Sequence, residues 1–326
     1  MPRKSILRYF NPKTHWRAVR NAYRLAVFKR RNGRTAASQR RIPAEAGGLA
    51  DARRIVPFAE RGQTPAVNPH APHSVSICIA TRNHVAYLRK TLDSIFQQLP
   101  IPGQPVEVIV VDDGSDDGTP EMLKGYSVRR FRLENAAYGN GGLAKNMGLR
   151  AAAGDIIIQQ SDDVLHATPN LIQELTADFR PGEFRIATVY DFDTQWGRVL
   201  GQYAGCESPR PLFFLGALWR EDICRLGGYD PEFDGTIWYN DDWHGDGLVR
   251  GLGLECVHVP LLGLHQAHPR PQYQTISAKA LYRNKCKRAK ASGDPALWLS
   301  SAGPWPYVQG KSVSRVEAEK TPQKVA

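Results

Sequence analysis

Three short apolar runs organise the middle of the chain. Val75–Ala80 (VSICIA), Val106–Val111 (VEVIVV) and Asp155–Ile158 (DIII) each lead into polar residues. Runs of this length without polar alternation predict strands buried on both faces, as in a parallel sheet. The first stops at Thr81, Arg82 and Asn83, and the second at Asp112 and Asp113. The third passes through Gln159 and Gln160 into Ser161, Asp162 and Asp163. Ligands of open α/β sheets lie outside the carboxyl ends of the strands. Three strands delivering polar groups to one rim therefore predict a binding site, and two of them deliver paired acids.

Helical periodicity fills the gaps. Leu88, Leu92, Ile95, Phe96 and Leu99 mark a helix face closed by Pro100 and Pro102. Thr119–Pro120 predicts an N-cap and N1 proline, Val128–Leu133 a strand, and Gly139–Ala153 a glycine-started helix. Thr168–Pro169 predicts the cap of a helix with Leu171, Ile172 and Leu175 inward. Strands alternating with helices predict a mostly parallel α/β sheet flanked by helices. The second half is less regular. It predicts a strand at Phe184–Tyr190, hairpin and loop over 191–218, and a helix from Trp219 to Leu226 closed by Gly227–Gly228. The acidic segment Asn240–His244 precedes a helix near Leu248, and Glu255–Val259 forms a last strand with His265 and His268 just beyond it. The last 25 or so residues read as a mobile tail.

Charge divides the 326 residues unevenly. Residues 1–73 hold 16 Lys or Arg against three acids, more than the whole net charge of +11. The expected organisation is a basic leader over 1–73, an α/β domain over 74–275, and a basic helix and tail over 276–326. Within residues 1–31, Trp16, Val19, Tyr23 and Ala26 or Val27 follow helical spacing among arginines. That pattern fits an interfacial helix on an anionic membrane surface, or a solvated tail. It carries no recognisable nucleic-acid module, so no nucleic-acid partner is expected. Residues 32–72 read as a linker. Five cysteines, odd in number and without a CxxC pair, predict reduced and mostly buried thiols in a cytoplasmic protein. No run approaches the roughly 20 apolar residues of a membrane span, and the N-terminus lacks a signal-peptide core.

The paired acids suggest chemistry. Adjacent carboxylates such as Asp162 and Asp163 repel unless a cation sits between them, and oxygen ligands suit Mg²⁺ or Mn²⁺; the plain alternative is an Asx-type turn. Asp112 and Asp113 can accept hydrogen bonds from a base or ribose, with Thr81, Arg82 and Asn83 completing a nucleoside pocket. Lys145, in the glycine-started helix, faces either a phosphate or solvent. Trp219, Trp238 and Trp243 line an acceptor groove or belong to the core.

These pieces, VSICIATRN, LRKTLDSIFQQ, VEVIVVDDGSDDGT and LENAAYGNGGLAKNMGLRAAAGDIIIQQSDDV, resemble in order and spacing the nucleotide-sugar-binding half of family 2 glycosyltransferases, over Val75–Val164. Phe213–Phe233 and the HQAHP run from His265 extend the resemblance more loosely to about residue 270. The resemblance implies a GT-A (Rossmann-like) fold with a smaller mixed acceptor-side portion. It also implies inverting transfer of a sugar from a nucleotide-sugar donor, with UDP the leading nucleotide. The acceptor is the hydroxyl of a carbohydrate or lipid-linked molecule in surface polysaccharide or glycolipid synthesis, with Mn²⁺ or Mg²⁺ as cofactor. An enzyme of that kind suits the cytoplasm or the inner face of the plasma membrane. By this resemblance Ala80, Thr81, Arg82, Asn83, Asp112, Asp113, Gly142, Lys145 and Asp162 bind the nucleotide sugar. Asp163, Asp162 and His265 hold the metal, and Gly216, Ala217, Trp219 and Trp243 lie on the acceptor side. Asp241 and Asp242 supply the base, with Asp242 favoured.

Three positions depart from the family pattern. Gln160 replaces the first acid of the Asp-x-Asp motif, Lys145 replaces a common arginine, and Asp241–Asp242 replaces Glu-Asp. Two competing readings follow. A nucleotidyltransferase needs a glycine-rich basic loop after the first strand, which Thr81–Val85 does not supply. A non-catalytic binding protein draws its support from Gln160.

Overall fold

The computed structural model describes residues 53–55, 73–134, 141–193, 195, 197–206, 209–234, 239–268 and 276–315. The expected leader helix within 1–31 and the acceptor-side candidate Trp238 lie outside the described residues. Among the described residues, ten strands form one sheet: β1 (Arg53–Ile55), β2 (Val75–Thr81), β3 (Val106–Asp112), β4 (Arg129–Arg132), β5 (Ile156–Ser161), β6 (Val164–His166), β7 (Glu183–Asp193), β8 (Arg198–Ala204), β9 (Leu215–Trp219) and β10 (Glu255–Gln266). Their order is β1-β10-β7-β9-β5-β2-β3-β4, with β6 on β10 and β8 on β7. Strands β4, β3, β2 and β5 pair in parallel, as do β7, β10 and β1; β9 joins the two sets antiparallel to both.

The helices are α1 (Val85–Phe96), α2 (Thr119–Leu123), α3 (Gly141–Ala151), α4 (Leu171–Thr176), α5 (Arg220–Leu226), α6 (Asn240–Asp246) and α7 (Ile276–Ser292). Alternate strand residues point to opposite faces, and the core divides accordingly. Val75, Ile77, Ile79, Val108, Val110, Ile156 and Ile158 pack with Leu88, Leu92 and Ile95 of α1 and with α4. Cys78, Ile109, Val111 and Ile157 pack with Ala144 and Leu149 of α3, with Ile223 and with Leu248. Register aligns Ala80 with Val111 and Ser161, and Thr81 with Asp112. That is why the polar strand ends share one rim.

Several expectations are corrected. Residues 215–219 form strand β9 rather than loop. The acidic segment at Asn240 does not precede a helix; it is the first turn of α6, which runs on as a π-helical turn, Gly247–Gly251. The last strand continues to Gln266, so His265 sits within it. Gly118, in the left-handed region, precedes α2 in place of Thr119, whose amide and hydroxyl donate to Asp117. Asn170, also left-handed, takes the cap position of α4 in place of Thr168. Within the expected linker, Arg53–Ile55 pairs with β10. Part of the expected tail is packed rather than mobile: Trp305, Ser312 and Val313 are buried, and Trp305 donates its backbone amide to the Cys224 carbonyl. All five cysteines are free thiols, with Cys78, Cys224 and Cys256 buried. No helix among the described residues is long and apolar enough to cross a membrane.

Candidate functional site

The carboxyl ends of β2, β3, β5 and β10 converge. Asp112, at the end of β3, is spent locally. Its Oδ1 accepts from the Ser115 amide at 2.8 Å, and its Oδ2 pairs with Arg132 of β4. Its neighbour differs. Asp113 Oδ1 is buried without a hydrogen-bond partner, and burial pushes the carboxyl above the usual range despite Arg82, whose Nη1 lies 3.8 Å from Oδ2. The Arg82 guanidinium also donates to the Asp113 carbonyl at 2.9 Å. Asn83 braces the two loops: it adopts φ of 53°, donates its amide to Ser115 and accepts from the Asp116 amide, both at 2.9 Å. Of the expected nucleoside pocket, Asp113 and Arg82 thus face each other, whereas Asp112 and Asn83 hold backbone.

Asp162 and Asp163 diverge from their turn. The Thr81 hydroxyl donates to Asp162 at 2.6 Å, and His84 Nδ1 lies 3.1–3.2 Å from both oxygens of the same carboxylate. Asp163, 6% exposed, faces His265 Nε2 at 3.2 Å and His268 Nε2 at 3.0 Å through Oδ2. Its Oδ1 is buried without a partner. Burial opposes ionisation of Asp163, but the two imidazoles outweigh it and hold its pKa well below the carboxylate range. His265 donates Nδ1–H to Asp191 at 2.7 Å; burial lowers its pKa, and the two carboxylates more than reverse this. Strand pairing explains the meeting: His265 aligns with Asp191 of β7 and Val164 of β6, and the Gln266 amide donates to the Asp163 carbonyl. Ligand atoms of His84, Asp163 and His268 all lie within 4.8 Å of one another. An orphaned buried carboxylate oxygen among imidazoles suits a divalent cation.

Gln160 does not enter this cluster. Its side chain turns to the α1 face, where its amide donates to the Val164 carbonyl and its oxygen accepts from His166 Nε2. The departure that supported a non-catalytic reading is therefore absorbed in the body of the sheet.

A second acidic group lies on α6. Asp241 pairs with Lys145 of α3 at 2.5 Å, and that ammonium also sits 4.6 Å from the Tyr229 ring centroid. Burial favours the neutral acid, but Lys145 overrides it and lowers the Asp241 pKa. Asp242 pairs with Arg210, yet burial keeps its pKa above the usual range, helped by Asp241 and Asp246. Gly142 gives α3 room beside α6: a Cβ there would sit 2.8 Å from Asn240 Nδ2 and 3.0 Å from Asp234 Oδ1. A small cleft, partly open to solvent, lies beside Lys145; Ala80, Gln159, Ser161, Phe213 and Tyr229 line it with Lys145.

The acceptor-side candidates separate. Gly216 and Ala217 pair with Gln159 and Ile158 of β5, and Ala217 is core. Trp219 aligns with Ile156 at the opposite end of β5 from the acids and packs on Phe179 and His73. Trp243 is 1% exposed and stacks on Trp298. Neither tryptophan lines the rim. Sequence reasoning missed His84, Asp191 and Arg210. Only His84 left a signal, as a polar residue directly after the TRN strand end.

Residues 76–220 match the family model described as Glycosyl transferase family 2. Over 284 residues the chain is 23% identical to validoxylamine A glucosyltransferase of Streptomyces hygroscopicus subsp. limoneus, covering 72% of this chain and 60% of that protein. Over 131 residues it is 31% identical to glycosyltransferase GlyG of Streptococcus pneumoniae serotype 4, covering 38% of this chain and 41% of that one. The chain spans 60% to 65% of the length of the two validoxylamine A glucosyltransferases it matches. Among solved structures, GalNAc-T7 with UDP, GalNAc and Mn²⁺ superposes with a TM-score of 0.50 at 18% identity, covering 68% of this chain and 52% of that chain; the likeness is one of fold. Sequence match and sheet topology agree: residues 76–220 are similar to glycosyl transferase family 2, and the chain has the GT-A fold.

Proposed function

We propose that the protein transfers a sugar from a nucleoside-diphosphate sugar to a hydroxyl acceptor with inversion at the anomeric carbon, and that UDP is the donor nucleotide. The observation that carries the reading is the division of carboxylates into two groups with opposite electrostatics. Asp163 is held ionised among imidazoles, whereas Asp242 is held above its usual pKa on a separate helix. A base must remain able to take a proton, while a cation ligand must remain charged.

In this reading Asp113 and Arg82 receive the nucleoside, and Asp163, His84 and His268 hold a divalent ion, with His265 beside them. A cation held there supplies positive charge for the departing diphosphate. Lys145 lines the cleft next to Ser161 and offers the phosphates a single ammonium rather than a bidentate fork. Asp242 takes the proton of the acceptor hydroxyl as it attacks; such assistance is worth about 10²–10⁴-fold. Carbohydrate or lipid-linked acceptors, and an anionic membrane contact through residues 1–31, belong to the same proposal.

The test is a thermal-shift screen of nucleotide sugars with and without Mn²⁺, followed by assay of free UDP on adding acceptors. A ligand that binds only the native state at about 100 times its Kd stabilises by about 2.7 kcal/mol. A Mn²⁺-dependent shift with UDP-sugars is expected. No shift with any nucleotide, and no nucleotide release, refutes the proposal.

A further inference from the structure

We infer that Arg210 reads an anionic group, phosphate or carboxylate, carried by the acceptor next to its reacting hydroxyl. The inference rests on the sugar-transfer reading above, in which Asp242 takes the proton of that hydroxyl, and it names the acceptor class that the same site prefers.

The loop between β8 and β9 gives Arg210 a fixed backbone and a solvated head. Pro211 and Leu212 are buried. Pro211 lies so close to α6 that a Cβ on Gly245 would sit 2.3 Å from its carbonyl oxygen. The Arg210 carbonyl accepts from the Leu212 amide at 2.8 Å and lies 3.2 Å from Nε2 of the fully buried His258. Phe213 continues the loop into the cleft beside Lys145. The guanidinium, by contrast, is 55% exposed and pairs with Oδ1 of Asp242. Exposed ion pairs add little to stability, and the buried backbone contacts already hold the loop. The fold therefore does not need this pair.

Proton transfer changes the charge balance at the pair. While Asp242 is ionised, guanidinium and carboxylate cancel. When the carboxylate takes the hydroxyl proton it becomes neutral. The acceptor oxygen bonds to the anomeric carbon, and the bond from that carbon to the diphosphate breaks, its electron pair leaving with the diphosphate. Arg210 keeps its charge throughout and is then unopposed. Alone, this disfavours the step. Burial, Asp241 and Asp246 raise the Asp242 pKa, and Arg210 draws it back down, which weakens the base. An anion on the acceptor removes the penalty, because it faces the guanidinium as Asp242 loses its charge. The guanidinium offers five N–H donors in a planar fork suited to phosphate and carboxylate, and Asp242 engages one arm of it. Two hydrogen bonds span ~6 Å, so the anion belongs on the reacting sugar or its immediate neighbour.

The test uses the full chain with the nucleotide sugar and ion that the thermal-shift screen selects. Nucleotide release is measured on methyl hexosides and on their 6-phosphates and uronates. The unmutated protein is expected to favour the anionic members by about 10–100-fold in kcat/KM, the worth of a hydrogen bond to a charged group. R210Q is expected to abolish that preference and to move the pH midpoint of kcat upward, since the carboxylate loses its cation. R210K, a point charge, should keep part of the preference. A role confined to folding would move neither the preference nor the midpoint. A larger effect with the 6-phosphates identifies phosphate as the anion, and with the uronates carboxylate; either supports the site. Equal use of neutral and anionic acceptors by the unmutated protein overturns the inference and leaves sugar transfer standing. A preference that survives in folded R210Q does the same. If no acceptor releases nucleotide, the sugar-transfer reading fails. Inorganic phosphate titrated calorimetrically in the presence of UDP and Mn²⁺ then decides the anion site by itself: binding lost in R210Q supports it, and no difference between the two proteins overturns it.

Discussion

Lys285→Met should destabilise the protein far more than loss of a surface charge. Lys285 lies on the inner side of α7 with 6% of its side chain exposed, and its ammonium is 2.9 Å from Asp230 Oδ2. It also contacts Glu232 and sits 4.9 Å from the Trp243 ring centroid. The Asp230 side chain is fully buried, and its Oδ1 already accepts from the Glu232 amide at 3.0 Å and the Ser301 hydroxyl at 2.6 Å. Removing Lys285 leaves Oδ2 facing no cation, and breaking a buried pair this way costs about 3–5 kcal/mol. The Glu232 contact adds little, because that acid is 43% exposed and screened by water. Urea unfolding followed by circular dichroism and tryptophan fluorescence reads the loss, since Trp243 and Trp298 stack beside the pair. Adding Asp230→Asn should recover part of it through a coupling of about 0.5–3 kcal/mol. A loss below about 1 kcal/mol, the scale of exposed ion pairs, would refute the packing of α7 against the turn that leads into α6.

Asp242→Asn should lower kcat by about 10²–10⁴-fold with donor affinity retained in calorimetry; in the unmutated protein kcat should fall as pH drops through the raised Asp242 pKa. Asp113→Asn should weaken nucleotide binding by titration with little change in melting temperature, whereas Asp112→Asn should lower the melting temperature, because its amide keeps an acceptor for the Ser115 N–H but loses the charge pairing with Arg132. Acid should destabilise the fold early: burial depresses both His166 and His244 to about 3, while an unfolded histidine titrates near 6.5. Between those values the unfolded chain binds more protons, so the stability from these neutral imidazoles is complete above pH ~6.5 and drains as pH falls toward ~3, by up to about 1.4 kcal/mol per pH unit for each. His166→Gln should reduce that slope in urea titrations at stepped pH by about one proton.

The legible parts of the sequence were those whose signal is local. Buried parallel strands need continuous apolar runs, so β2, β3 and β5 announce themselves. Strand β9 is five residues of mixed size between a loop and an arginine, and periodicity has too little length to work with. The sequence marks the last strand, β10, only from Glu255 to Val259, and Pro260 then interrupts the run. The chain accommodates the proline with a register shift between Val259 and Leu262, then resumes pairing with β7. The acids at the strand ends were legible, but their division of labour was not. Asp112 is taken by Arg132, twenty residues on. Asp241 is taken by Lys145 from another helix, and His84 meets His268, 184 positions later in the chain, only on folding. Tryptophans on apolar segments gave no clue to which end of the sheet they occupy, and Trp219 and Trp243 went to the core or the far edge.

The proline in β10 has a consequence for how the site is assembled. Because pairing resumes beyond the irregularity, Gly263, Leu264 and His265 lie antiparallel to His166, Leu165 and Val164. The Gln266 amide then reaches the Asp163 carbonyl. The turn that carries both central acids is therefore clamped between β5, which delivers it, and β10, which follows it by about a hundred residues. The segment matched by the family model ends at residue 220. Asp241, Asp242, His265 and His268 all lie after that point, as does Tyr229, which bears on Lys145. A fragment stopping at 220 would keep Asp113 and Arg82 but lose both imidazoles facing Asp163 and the partner of Lys145. It would also leave β9 without its following helix and β7 without β10. In the proposed reading, nucleoside recognition and cation binding thus belong to different depths of the chain, and the second depends on long-range strand pairing that the first does not need.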